Sequence, residues 1–161
     1  MNTVLILLMV LFVAYNLFLS CKFGIPHSLS ETSYIWKTYN NKPYMFSLLC
    51  GITGGTLLPS WLLASPEDYQ FLVFLSCTGL IFSGVSPMFR GGIDKPVHYT
   101  SAIAAMICFT LWLVLVQVWW LVICLVLTVL LSFLFDKRRI VYWVEVVTFM
   151  GIIIHLLKYH W

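Results

Sequence analysis

VHYTSAIAAMICFTLWLVLVQVWWLVICLVLTVLLSFLF, residues 97–135, contains no Gly, no Pro and no formally charged side chain. As a single helix it would run to about 58 Å, nearly twice the roughly 30 Å of a bilayer's hydrocarbon core. The run must therefore fold back on itself. The bend is expected at Gln117, beside Trp119 and Trp120, because a polar amide and paired indoles suit the headgroup level.

Working outward from this hairpin, apolar runs of spanning length occupy Thr3 to Ser20, Met45 to Ala64, Gln70 to Met88, Val97 to Val116, Trp119 to Phe135 and Ile140 to Leu157. Hydrophobic residues make up 61% of the chain and charged residues 9%, against roughly 25% charged in a soluble domain. The expected fold class is all-α: a polytopic membrane helix bundle of six transmembrane helices, forming one domain over residues 1–161. The first run has no Lys or Arg ahead of it and no small-x-small site before Cys21, so it reads as a span and not as a cleaved signal.

Eight of the nine Lys and Arg residues lie in three segments: Lys22, Lys37 and Lys42; Arg90 and Lys95; Lys137, Arg138 and Arg139. These alternate with segments almost free of positive charge, so the basic loops should face the cytoplasm and both termini should lie outside. A bacterial inner (cytoplasmic) membrane is the expected location. The net charge of +3 belongs to loops beside anionic headgroups, and no nucleic-acid partner is expected.

Lipid gives no hydrophobic drive between spans, so small residues mark close helix approach. Gly51 and Gly55, then Ser76, Gly79 and Ser83, then Ser101 and Ala105 are the candidates, read as packing within the bundle. Cys21, Cys50, Cys77, Cys108 and Cys124 include no Cys-x-x-Cys pair and read as packing residues.

The polar residues inside or near the spans carry the functional reading. Glu145 lies about five residues, or roughly 7 to 8 Å, inside the last span, and an ionisable residue there is a functional candidate. A structural alternative is pairing with Arg138 or snorkelling to the headgroups. His98 opens the fourth span after Asp94 and Pro96, where Asp94 is placed to cap the helix. Arg90, Asp94, His98 and Glu145 thus stand at one level, as a pocket for a headgroup, a proton or a metal, or as an ordinary charged rim. Ser28 and Glu31 have capping-box spacing, so an interfacial helix is expected over about 28–39, adding His27 and Glu31 to that pocket or merely connecting two spans. His155 and His160 point about 140° apart on a helix, and they lie across the membrane from His27 and His98. No cofactor is expected, and metal binding is left open.

No Walker loop, dinucleotide fingerprint, nucleophile elbow or His-Glu-x-x-His motif is present, which leaves soluble-type enzyme chemistry unsupported. Phe23-Gly24-Ile25-Pro26-His27-Ser28-Leu29-Ser30-Glu31-Thr32, with Phe74-Leu75-Ser76-Cys77-Thr78-Gly79-Leu80 and Val97-His98-Tyr99, resembles a family of small uncharacterised multi-span proteins of gut bacteria and their phages. That resemblance implies a membrane protein and no mechanism. Gly84-x-x-Pro87 with His98-x-x-Ser101-Ala102 resembles, over about one span, other six-span families of unknown function. In residue types alone the chain is similar to the alkaline ceramidase and adiponectin-receptor superfamily. That superfamily pairs histidines four apart in a seventh span, which this chain lacks.

The leading expectation is a non-enzymatic module that binds a lipid headgroup or a membrane-protein partner through the cytoplasmic-facing pocket. The alternatives are a metal-dependent lipid hydrolase using His98, Glu145 and Glu31, and a small proton-coupled transporter or oligomeric pore. The sequence leaves the oligomeric state open.

Overall fold

A computed structural model describes residues 2–40, 44–89 and 93–159; Arg90, Lys42 and His160 lie outside the described residues. The chain forms α1 (Asn2–Phe23), α2 (Thr32–Asn40), α3 (Tyr44–Leu63), α4 (Gln70–Val85), α5 (Asp94–Leu115), α6 (Trp119–Phe135) and α7 (Ile140–Tyr159), with no strand among the described residues. Helices suit a hydrocarbon environment, because they pair backbone N–H and C=O groups within each segment.

Five helical stretches are long and apolar enough to cross a membrane: Asn2–Phe23, Tyr44–Leu63, Glu67–Met88, Asp94–Leu115 and Lys137–Tyr159. The remaining apolar helix, Trp119–Phe135, has 17 residues, at the short end of the roughly 17–25 that span a bilayer. The helices are apolar on their outer as well as their inner faces: Leu7 is 63% exposed, Leu63 66% and Leu134 72%. Helices apolar all round are built for a lipid surround, so this is the construction of a membrane helix bundle.

The bend falls where the sequence puts it. Gln117 is the one non-glycine with positive φ (58°) among the described residues. Val118 N–H bonds Leu113 O at 2.9 Å and Gln117 N–H bonds Val114 O at 3.2 Å, the paired bonds of a Schellman helix end. Val118 and Leu113, the apolar pair that accompanies this motif, are both buried in the main core. Below the bend, Trp112 Nε1 donates to Ser65 Oγ at 2.9 Å, and Ser65 Oγ donates to Trp61 O at 2.7 Å. These bonds tie α5 to the end of α3.

Helices α3, α4 and α5 pack side by side, α6 packs on α7, and α1 lies against α7 and α3. Gly79 meets α5 as expected: a Cβ there would stand 2.8 Å from Ser101 O and 3.0 Å from Ala105 Cβ. The Gly51-x-x-x-Gly55 pair does not pack as expected. A Cβ on either would meet nothing within 4 Å, and the close approach on α3 is made by Gly54 against Ile81 and Cys77.

The interfacial helix begins later than expected, at Thr32 and not at Ser28. Ser28 Oγ does accept from Glu31 N–H at 3.2 Å, but Glu31 Oε2 accepts from His27 N–H at 2.5 Å instead of from Ser28. The capping box therefore closes as a separate turn. Successive bonds from Thr32 N to Leu29 O and from Ser33 N to Ser30 O join that turn to the first residues of α2. Helix α2 is held to the end of α1 by Trp36 stacked on Phe18 (5.8 Å, 7°) and by Lys22, which donates to the Tyr39 hydroxyl. Asp94 is the first residue of α5 and makes no capping bond; Ile93 holds the cap position. Its carboxylate still favours the helix start through the macrodipole.

Candidate functional site

The start of α7 collects the turn before α2. Tyr142 N–H donates to His27 O at 3.1 Å, and His27 Nδ1 lies 3.0 Å from Arg138 O. A carbonyl only accepts, so the His27 ring donates from Nδ1. Tyr142 also reaches into the bundle, its hydroxyl donating to Asn16 Oδ1 at 3.1 Å. Thr32 Oγ1 accepts from Tyr15 OH at 2.7 Å and donates to Leu29 O at 2.5 Å. Through these bonds α1, the 26–31 turn and α7 form one framework.

Glu145 completes it. Its Oε2 accepts the Leu29 N–H at 2.7 Å, while Leu29's own side chain is buried at 3% exposure. Glu145 does not pair with Arg138, since the one ion pair among the described residues is Arg139 with Asp136 at 3.2 Å. A carboxylate more than one helical turn inside α7 is thus spent on a backbone amide of the connecting turn.

On the α4–α5 side, His98 Nδ1 stands 3.1 Å from Ser83 O, Ser83 Oγ and Ser86 Oγ. With Nδ1–H donated to the carbonyl, the neutral ring keeps its lone pair on Nε2. Ser83 was legible only as a small packing residue, and Ser86 had no signal beyond its turn.

These groups surround a chamber of about 560 Å³ at the basic end of the bundle, whose wall includes His27, Glu31, Asp94, His98 and Glu145 together with Lys95 and Arg138. Arg90, which the sequence also assigned to this pocket, lies outside the described residues. The volume falls in the range of small-molecule pockets. Glu31, Asp94, Lys95 and Arg138 form no ion pairs with one another, so both signs of charge are available to an occupant.

A second, smaller cavity of about 110 Å³ lies in the bundle, between Phe12, Leu49, Leu57, Trp61, Phe109 and Ile152. Ser30, Ala102 and Glu145 line both spaces, so the polar chamber and the apolar cavity lie side by side at Glu145. Among the described residues no three His, Cys, Asp or Glu side chains are grouped to hold a metal ion, so the trio His98, Glu145 and Glu31 has no metal-binding geometry to stand on. At the far end of the bundle, His155 is stacked near Trp120 (6.3 Å) and edge-on to Trp112 (5.7 Å).

Fold and site together define an α-helical bundle of membrane-spanning construction with a charged chamber at one end and an apolar cavity beside it. No protein-family model, curated protein or solved structure matches the chain, so its residues alone carry the functional reading.

Proposed function

We propose that this protein is a six-span membrane module, with both termini outside and the charged chamber facing the cytoplasm of a bacterial cell, that binds an amphiphilic molecule. The polar head would occupy the chamber and the chain would enter the apolar cavity. The observation that carries this reading is that Glu145, Ser30 and Ala102 line both spaces. A metal site, a proton or a protein partner requires a polar rim only; an apolar cavity beside that rim is the added feature that an amphiphile uses.

The mixed charge of the chamber favours a zwitterionic head. Lys95 and Arg138 are placed for its anionic group, and Glu31, Asp94 and Glu145 for its cationic group. The test is native mass spectrometry of the protein extracted in mild detergent. A retained lipid is expected on the unaltered protein and its loss on Ala102→Trp, which fills the junction. A bare protein, or equal retention by A102W, would sink the proposal.

Orientation is tested separately by cysteine labelling at exposed Asp68 and Lys137, with the exposed native Cys21 and Cys124 replaced by Ala. A membrane-impermeant maleimide added to intact cells should reach D68C and not K137C. The reverse pattern would invert the topology.

A further inference from the structure

The apolar cavity holds a chemical irregularity that a plain hydrocarbon chain would not explain. Thr53 Oγ1, Trp61 Nε1 and Thr148 Oγ1 are buried side-chain atoms with no hydrogen-bond partner, and all three residues line this cavity. Thr53 is 1% exposed and Trp61 3%. A buried polar group without a partner is costly, and each instance calls for an explanation.

The two threonines had a ready alternative. A hydroxyl inside a helix usually bonds the carbonyl four residues back. In this chain Thr110 does so to Met106 O at 2.8 Å, Thr128 to Cys124 O at 2.7 Å and Ser101 to Val97 O at 2.6 Å. Thr53 and Thr148 do not, and they are the threonines on the cavity wall.

Their depth matches as well. Tyr44 and Ile140 begin α3 and α7 at the same end of the bundle, where Phe46, Leu49 and Cys50 pack with Tyr142. Thr53 lies nine residues into α3 and Thr148 eight into α7, so both stand roughly 12 to 14 Å in, about one turn beyond Glu145. Trp61 is further along α3, toward the other end. Threonine hydroxyls donate or accept, so the group the pair at one depth can serve together is an acceptor oxygen; Trp61, about 12 Å further along α3, is out of reach of that same atom.

We propose that the cavity is a subsite for a monoacylated amphiphile whose acyl carbonyl hydrogen-bonds Thr53 and Thr148, with the chain running on toward Trp61. This rests on the amphiphile reading above and narrows it to a ligand class. An acyl carbonyl lies a few covalent bonds beneath the polar head of such a lipid, as the threonine pair lies one turn beneath Glu145. At about 110 Å³ the cavity is smaller than the roughly 150 Å³ that holds one benzene ring, so it takes the carbonyl and the first few carbons of one chain and leaves no room for a second chain.

The test compares lysophosphatidylethanolamine with its 1-O-alkyl ether analogue of equal chain length, competed on the full-length protein in detergent and read by native mass spectrometry. The ether lacks only the carbonyl oxygen. The ester should win by about 5- to 30-fold, the worth of one to two net hydrogen bonds. Thr53→Val with Thr148→Val, which keeps shape and removes both hydroxyls, should bring the two lipids to parity while the ether still binds, showing that the variant is folded. Parity on the unaltered protein, or an undiminished ester preference in the double variant, would overturn the subsite and leave the amphiphile reading standing. Binding of neither lipid would overturn both.

Discussion

Replacing Glu145 with Leu should make the Leu29 amide exchange with solvent about 10- to 100-fold faster, because the bond it loses is one to a carboxylate, worth roughly 1.5–3 kcal/mol. Glu145 Oε2 is the acceptor for that amide at 2.7 Å. Leu has no acceptor, so the N–H is left either unpaired or opened to water. The other ties of this segment, Tyr142 N–H to His27 O and Tyr15 OH to Thr32 Oγ1, do not involve Glu145. The 26–31 turn should therefore loosen locally without releasing α2.

Global stability is the poorer readout of this change, since removing a buried carboxylate also removes its desolvation cost, and the two effects oppose each other. Glu145→Gln serves as the control. Its amide oxygen still accepts from Leu29, so exchange there should fall between the unaltered protein and the Leu variant. Protection at Leu29 that is the same in all three proteins would show that Glu145 does not hold the turn.

The contrast between Glu145 and its neighbours shows what a sequence of this kind discloses. Depth was legible, because residues counted from a helix start convert directly to ångströms, and so His98, Asp94 and Glu145 could be put at one level before any coordinates. Gln117 was legible as a bend because the run around it was too long for one crossing. Facing was less so. Gly51 and Gly55 have the spacing of a contact pair, yet rotation about the α3 axis turns Gly54 inward instead, and in lipid an apolar outer face gives no polar stripe from which to read that rotation. Backbone partners were invisible as well: Glu145 chose the Leu29 N–H over a cation, and no side-chain pattern announces a main-chain donor. The orphaned hydroxyls of Thr53 and Thr148 were beyond reach for a related reason, since any mid-helix threonine is satisfied by default and only coordinates show which ones are not.

Facing is what the glycines test. Gly79→Ala should cost about 1–3 kcal/mol, the usual penalty for overpacking, because its Cβ would stand 2.8 Å from the Ser101 carbonyl and 3.0 Å from Ala105 Cβ. Neither atom is the far end of a flexible side chain, so relief requires α4 and α5 to move apart. Gly84→Ala should behave alike, as its Cβ would run into Cys50 Cβ and Sγ. Gly55→Ala adds the same methyl group to an exposed position with nothing within 4 Å. It should be neutral, or stabilise by up to about 0.5–1 kcal/mol through the lower chain entropy of Ala. For a chain of this size the overpacked variants should melt roughly 2–12 °C lower in detergent. The sign difference is the decisive quantity, because all three substitutions are chemically identical and any general effect of Ala in a membrane helix cancels. A loss at Gly55 equal to that at Gly79 would mean that the Gly51 and Gly55 face is itself packed, against another copy or another protein, and would overturn its assignment to lipid.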